Sequence, residues 1–288
     1  MSNTRLSADR GSLSGRVAAP ALKYLSLVLA SLVVLLPLTA VLLTSLKTHK
    51  EIANGSGALT PPHDWFNFSN YRTAFVQGHM LRGMANTLFI LVFSVAGSVL
   101  IGSMAAYAID RYRFRFRGPI LAAFLVATLV PSVTTQVGTF QVINTFGLFD
   151  TRWAPILLYT GTDIVSIYIF LQFMRSIPVS LDEAARIDGA SPLRIYWTVI
   201  MPLLKPAVAT VVIVKGILVY NDFYYPFLYM PSDELGTIST SLYRFKGPFG
   251  AEWQDICAGA VLVIVPTLVV FLFLQRFIYN GLTQGATK

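Results

Sequence analysis

Long apolar runs alternate with short polar connections along most of this chain. A helix that crosses the ~30 Å hydrocarbon layer of a bilayer needs ~20 mostly apolar residues, because hydrocarbon cannot satisfy exposed backbone polar groups. Six runs reach that length, and each is bounded by charged or turn-forming residues. We therefore predict an all-α membrane protein with six transmembrane helices, over roughly 25–46, 87–109, 119–140, 153–174, 207–229 and 257–278.

Basic residues are concentrated in alternate connections between these runs. Lys and Arg are retained on the cytoplasmic side of membrane proteins, so their distribution predicts the orientation. Both termini should be cytoplasmic, with residues 1–22 forming a polar tail. The residues that indicate this are Arg5, Arg10, Arg16 and Lys23, then Arg111, Arg113, Arg115 and Arg117, and finally Arg175, Arg186, Arg194 and Lys205.

The composition agrees with a membrane protein. Hydrophobic residues make up 55% of the 288 residues and charged residues 12%, whereas soluble domains carry ~25% charged residues. The net charge of +8 could indicate nucleic acid, but the basic residues lie between apolar runs, as in contacts with membrane lipid. A single cysteine and the absence of zinc-site spacing predict neither a disulfide nor a metal site.

One face of the second run is built from small residues. Ser94, Ser98, Gly102 and Ala106 recur at every fourth position, which places them on one side of a helix. Small residues allow a neighbouring backbone to approach closely, so the runs should pack into a bundle. Pro131, inside the third run, removes a backbone donor and favours a bend.

The connection between the fourth and fifth runs, at about 178–204, is too polar to cross the membrane and predicts two short helices. The Ser180-x-x-Glu183 spacing predicts a capping box that starts the first helix. Gly189 provides a left-handed stop. Ser191, followed by Pro192 at the first helical position, predicts the start of the second helix.

This connection resembles a known motif. Glu183-Ala184-Ala185, then Gly189, then Val199-x-Met201-Pro202 is similar to the EAA loop of membrane subunits of ATP-binding cassette importers, in which EAA is followed by three residues, Gly, nine residues and I-x-L-P. Asn221-Asp222-Phe223 and the ending from Asn280 to Gly285 resemble the carbohydrate branch of that family.

The resemblance implies a type I importer permease bundle over residues 23–288, in the plasma (inner) membrane. It implies that the 183–189 helix couples the chain to a cytoplasmic ATPase. The implied partners are a second homologous permease, two ATP-binding cassette subunits and an extracytoplasmic sugar-binding protein. The implied coupling residues are Glu183, Ala184, Ala185, Asp188, Gly189 and Pro202.

The chain contains no G-x-x-x-x-G-K-[ST] phosphate loop, so ATP and Mg²⁺ should be bound by the partner ATPase and no cofactor by this chain. A membrane-embedded enzyme would need converging nucleophiles or metal ligands at one depth, a pattern that the sequence does not show. The alternative function is a secondary transporter driven by an ion gradient, which would favour paired broken helices in two halves.

Charged residues inside the predicted spans are candidates for a translocation path. An ionised group at mid-depth costs ~2.5–3.5 kcal/mol on insertion scales, so Asp163, Lys215 and Asp222 should face protein or water. Similar depths predict an ion pair between Asp163 and Lys215. The seven-residue spacing would place Lys215 and Asp222 on one helical face beside Asn221. Two interpretations stay open: these groups line a sugar route, or they hold helices together.

Overall fold

The computed structural model describes residues 13–161, 163–247 and 250–286, and most of them are helical. The helices of the first half are α1 (Leu13–Ser45), α2 (His49–Ala53), α3 (Ser69–Gln77), α4 (Met80–Arg111), α5 (Arg117–Leu129), α6 (Ser132–Thr145), α7 (Trp153–Gly161) and α8 (Ile164–Met174).

The second half contains shorter elements and one long terminal helix. Its α-helices are α9 (Ser180–Ile187), α10 (Pro192–Ile195), α11 (Met201–Leu203), α12 (Lys205–Asn221), α13 (Tyr224–Tyr229), α14 (Ile238–Ser241) and α15 (Trp253–Ala286). A π-helical turn (Tyr196–Ile200), two 3₁₀ turns (Asp233–Leu235 and Leu242–Phe245) and an antiparallel pair of short strands, β1 (Lys246–Gly247) and β2 (Gly250–Ala251), complete the described elements.

Helix α4 is the centre of the bundle and packs against α7, α8, α12 and α14. Its small face is buried, with Ser94 and Ala106 fully covered by neighbouring helices. A Cβ added at Gly102 would lie 3.2 Å from the ring of Phe170 on α8. The predicted close approach of helices along this face is therefore confirmed.

Two of the predicted spans are broken rather than continuous. The third run divides at Pro131 into α5 and α6, whose axes differ by 107°, because proline has no N–H to donate and disfavours helical backbone in the residue before it. Val130 is accordingly extended. The fourth run divides into α7 and α8 with a bend of 43°. The bend expected at Pro131 is thus confirmed, whereas the break in the fourth run was not predicted.

The fifth run also ends earlier than predicted. Helix α12 stops at Asn221, and Asp222 is extended, with φ −71° and ψ 124°. The Asp222 carboxylate accepts the backbone N–H of Tyr224 at 2.8 Å, a local bond that competes with continued helix. The prediction that Lys215 and Asp222 share one helical face was wrong, because the helix ends between them.

Among the described residues, two helices are long and apolar enough to cross a membrane, Leu22–Ser45 and Met80–Arg111. Three bent pairs raise that number to five if each pair is one crossing. The sixth run lies in α15, whose apolar segment Trp253–Val269 is shorter. Six spans and cytoplasmic termini stay predictions. Residues 1–12 of the predicted tail lie outside the described part, and 13–22 belong to α1.

Candidate coupling site and the buried charges of the spans

The predicted pair of short helices is present, but the first one starts differently from the prediction. Ser180 is the first helical residue of α9, and Val179 precedes it without a side-chain cap. The N–H of Glu183 donates to the Val179 carbonyl at 3.1 Å, so the predicted capping box was wrong. Gly189 follows the helix with φ +80°, which confirms the left-handed stop.

The outward side of α9 is exposed and has few contacts of its own. Glu183 and Ala184 are exposed, and so are Asp188 and Gly189 beyond the helix end. Ile187 is 86% exposed, an unusual position for a large apolar side chain beside charged neighbours. Within the described residues, the Glu183 carboxylate has no hydrogen bond or ion pair. This side of α9 is therefore free to contact another protein.

The inward side of α9 is held by a buried carboxylate. Asp182 is only 1% exposed, and its Oδ2 lies 3.0 Å from Nε of Arg111, the last residue of α4. One turn earlier on α4, the Tyr107 hydroxyl donates to Asp182 Oδ1 at 3.4 Å. Ala185 packs against the hydrophobic cluster beneath the helix. The helix is thus attached to α4 by an ion pair and to the hydrophobic cluster by packing.

Arg111 connects three parts of the chain at this point. Its side chain is 3% exposed. Besides Asp182, its Nη1 lies 2.7 Å from Asp110 Oδ2, and its Nη2 donates to the carbonyl of Ile177 at 2.9 Å. Arg117 approaches the other oxygen of Asp110 at 3.7 Å. A rigid guanidinium with several donors suits such a junction.

The second helix of the connection begins as predicted. The Ser191 hydroxyl accepts the N–H of Arg194 at 3.4 Å, and Pro192 is the first helical residue. The π-helical turn then presents Tyr196, whose hydroxyl lies 2.7 Å from that of Ser103 on α4. Pro202 is exposed in α11, just before the chain bends by 74° into α12.

Asp163 and Lys215 form the predicted ion pair, with Lys215 Nζ 3.2 Å from Asp163 Oδ2. Both residues are buried. Asp163 also caps α8, since it accepts the N–H of Ser166 at 3.3 Å and its hydroxyl at 2.5 Å. Two of the three charges predicted inside the spans are therefore paired with each other between α8 and α12.

Asp222 and Asn221 lie in different surroundings from that pair. The Tyr159 hydroxyl on α7 donates to Asp222 Oδ2 at 2.5 Å, and Lys215 Nζ lies 5.9 Å from the centre of the Tyr159 ring. Asn221 is exposed, and its amide donates to the Ile217 carbonyl at 2.9 Å. Tyr159 thus connects the Asp163–Lys215 pair to Asp222, while the side chain of Asn221 is exposed on the surface of the chain.

The sequence of residues 98–287 matches the model of the family described as binding-protein-dependent transport system inner membrane component. The match covers more than half of the chain and includes both short helices of the 178–204 connection. The chain belongs to this family. It is an integral membrane permease subunit of a binding-protein-dependent transport system.

Named relatives align with this permease over nearly their whole length. It is 33% identical over 238 residues to the galactooligosaccharides transport system permease protein GanQ of Bacillus subtilis, covering 81% of this chain and 83% of that protein. It is also 33% identical over 257 residues to the trehalose transport system permease protein SugB of Mycobacterium tuberculosis, covering 88% and 92% of the two chains.

A solved structure shows the same fold. The permease matches a chain of a bacterial ABC transporter involved in the import of the acidic polysaccharide alginate, with a TM-score of 0.76 and 24% sequence identity. The match covers 92% of this chain and 98% of that one. The arrangement of helices described above is therefore that of an importer permease.

Sequence reasoning missed Arg111 and Tyr107 as parts of the candidate coupling site. It assigned Arg111 to membrane topology. The available signals were an arginine at the end of an apolar run and an acidic residue directly before Glu183. No spacing rule joins residues so far apart in the chain, and only the packing of α9 beneath α4 brings them together.

Proposed function

We propose that this permease forms half of the translocation pathway of an ATP-driven, binding-protein-dependent sugar importer, and that α9 docks onto a separate ATPase. The observation that carries the proposal is the division of α9 into two sides. Asp182 fixes the inward side, and Glu183, Ala184 and Ile187 are left exposed on the outward side. An exposed apolar side chain of this kind is typical of a protein interaction surface.

The remaining coupling residues have roles that follow from their positions. Ala185 seats α9 on the hydrophobic cluster. Asp188 and Gly189 end the helix and present its carboxyl end outward. Pro202 stands at the bend into α12, where movement of the 178–204 loop would reach the fifth span.

The wider assembly follows from the family. We propose a multi-pass chain in the plasma membrane, with six spans, both termini cytoplasmic and a permease domain over residues 23–288. It would pair with a second homologous permease, two ATP-binding cassette subunits and an extracytoplasmic sugar-binding protein. ATP and Mg²⁺ would be bound by the ATPases, and this chain would carry out no bond chemistry. The names of GanQ and SugB support a carbohydrate cargo.

For the translocation path, we propose unequal roles for the four candidate residues. Asn221 is exposed and would contact sugar hydroxyls directly, since amide groups both donate and accept hydrogen bonds. Asp222 would stand beside it, oriented by Tyr159. Asp163 and Lys215 neutralise each other and would support the wall of the path rather than bind cargo.

The docking proposal is tested in the importer reconstituted with all its subunits. Ile187→Glu places a charge on the apolar side of α9 and should remove most of the bound ATPase and most of the sugar uptake. Glu183→Ala should leave the stability of the permease unchanged, because the side chain has no partner within the described residues, yet reduce uptake.

The matched control is Phe66→Glu, because Phe66 is a similarly exposed apolar residue, at 81%, on the predicted outer side. It should retain the ATPase. Normal ATPase binding, uptake and substrate-stimulated hydrolysis in both α9 variants would show that α9 is not the docking helix.

The second candidate from the sequence, a secondary transporter driven by an ion gradient, disagrees with membership of the binding-protein-dependent family, although broken helices such as α5–α6 and α7–α8 also occur in such transporters. The two functions differ in their energy source. Uptake by an importer of the proposed kind stops on ATP depletion and persists with an ionophore, whereas uptake by the second candidate shows the reverse.

A further inference from the structure

Helix α9 has only eight residues, and helices of this length are not stable alone in water. Its position beneath the membrane must therefore come from tertiary contacts. Ala185 provides a small apolar contact, which by itself would allow the helix to slide or rotate. The second contact is the buried ion pair between Asp182 and Arg111, whose Oδ2 and Nε atoms lie 3.0 Å apart.

We propose that Asp182 and Arg111 form a joint that transmits movement of α9 to α4, so that they are positioning residues for the coupling of ATP hydrolysis to transport. This inference rests on the proposed function, because it requires α9 to be the helix that the ATPase moves. It goes further by naming the contact through which that movement enters the bundle.

The geometry suits a joint that moves as one unit. Arg111 binds the carboxylate on α9, the Ile177 carbonyl in the segment before α9, and Asp110 on its own helix. Separating a buried pair leaves an uncompensated charge, so α9 cannot shift far without carrying the end of α4 with it. An ion pair resists sliding of α9 along the end of α4 more strongly than a contact between methyl groups does.

Helix α4 leads from this joint into the rest of the bundle. It packs along its length against α7, α8 and α12, and its small face leaves little space for independent movement. The buried Asp163–Lys215 pair joins α8 to α12. A displacement at the Arg111 end of α4 would therefore reach the helices that carry the candidate translocation residues.

The test uses the complete importer in proteoliposomes, with three measurements: ATPase retained on the permease, thermal stability, and ATP hydrolysed per sugar transported. Asp182→Asn removes the charge but keeps the shape, and Arg111→Lys keeps the charge but loses the guanidinium fork. Both should retain the ATPase and raise the amount of ATP hydrolysed per sugar transported.

A double variant separates a joint from a merely structural pair. Asp182→Leu with Arg111→Met replaces both ions by apolar side chains, which commonly preserves the fold, and Asp110 keeps Arg117 as a charged partner at 3.7 Å. It should keep stability and ATPase binding while hydrolysis stays uncoupled from uptake. The control Arg117→Gln changes a neighbour that approaches Asp110 but not α9, and should remain coupled.

Full coupling in the double variant would overturn the joint, since packing alone would then suffice. Loss of the bound ATPase in Asp182→Asn would overturn it as well, because the pair would then shape the docking surface. The Ile187→Glu and Glu183→Ala variants separate the two proposals. If they disturb coupling and the Asp182 and Arg111 variants do not, only the joint is wrong. If Ile187→Glu and Glu183→Ala have no effect on ATPase binding or uptake, the proposed docking role of α9 is wrong, and the joint that depends on it is wrong too.

Discussion

Two buried ion pairs hold this permease together in different ways. Asp182 and Arg111 lie 3.0 Å apart at the predicted cytoplasmic end and join a short, half-exposed helix to α4. Asp163 and Lys215 lie 3.2 Å apart and join two helices of the predicted spans. The first pair has additional partners in Tyr107, Asp110 and Ile177. The second has Ser166, which donates to Asp163, and the ring of Tyr159, whose centre lies 5.9 Å from Lys215 Nζ.

The difference shows what each pair is for. Asp163 caps α8 where the fourth run is broken, so its carboxylate satisfies a helix end that hydrocarbon could not solvate, and Lys215 balances the charge of that carboxylate. Asp182 caps nothing; the N-terminal residue of α9 lies two positions before it. Its pair orients an attached helix. The Asp163–Lys215 pair stabilises a break between two helices inside the bundle, and the Asp182–Arg111 pair holds α9 at the end of α4.

The largest effect is expected from removing one member of the pair inside the bundle. Lys215→Met leaves Asp163 buried and unpaired, which should cost about 3–5 kcal/mol of unfolding free energy. The double change Asp163→Asn with Lys215→Met should recover most of that loss. Denaturant unfolding of the purified permease measures both values. An unchanged stability in Lys215→Met would show that the pair is not energetically coupled.

Tyr159 tests the link between that pair and Asp222. Tyr159→Phe removes a hydrogen bond to a carboxylate, a class of bond worth about 1.5–3 kcal/mol. The matched control is Tyr168→Phe, because Tyr168 donates to the neutral Leu121 carbonyl at 3.1 Å and should cost about 0.5–1.5 kcal/mol. Equal losses in the two variants would argue against a charge-assisted bond at Tyr159.

Gly189 tests the helix end outside the bundle. Its φ is +80° and a Cβ there would meet nothing within 4 Å, so Gly189→Ala should cost about 1–2 kcal/mol through backbone strain alone. Gly189→Asn should cost less, since asparagine tolerates this conformation. Gly138→Ala is the control, because it also has open space but lies within helix α6. Stability and uptake should fall together only at position 189.

The smallest effect is expected from an acid-dependent contact in the first loop. Hydrogen bonds from the backbone N–H groups of Thr48 and His63 lower the pKa of Glu51 from 4.5 to about 2. The carboxylate therefore stabilises the fold fully above about pH 4.5, and this contribution is lost as the pH falls towards 2. Glu51→Gln should flatten that part of the profile of melting temperature against pH. An unchanged acid limb would rule out Glu51 as its source.

Local rules predicted much of the fold and of the coupling loop. The small face of α4 follows from four-residue spacing, and Gly189 and Ser191-Pro192 mark helix ends by backbone chemistry that needs no distant partner. The bend in the third run follows from Pro131, but the breaks in the fourth and fifth runs were harder to predict. Hydropathy records how apolar a segment is, but not that Asp163 or Asp222 satisfies backbone donors at a break.

The sequence by itself determined that this protein is built from long apolar helices and carries a patterned loop with a family's spacing, because those properties depend on neighbours in the chain. Only the tertiary structure decided that Asp182 meets Arg111 and that Tyr159 meets Asp222. Such contacts depend on how α7, α9 and α12 pack around α4. Charges buried by that packing must find partners wherever the fold places them, since neither lipid nor the protein interior can solvate them alone.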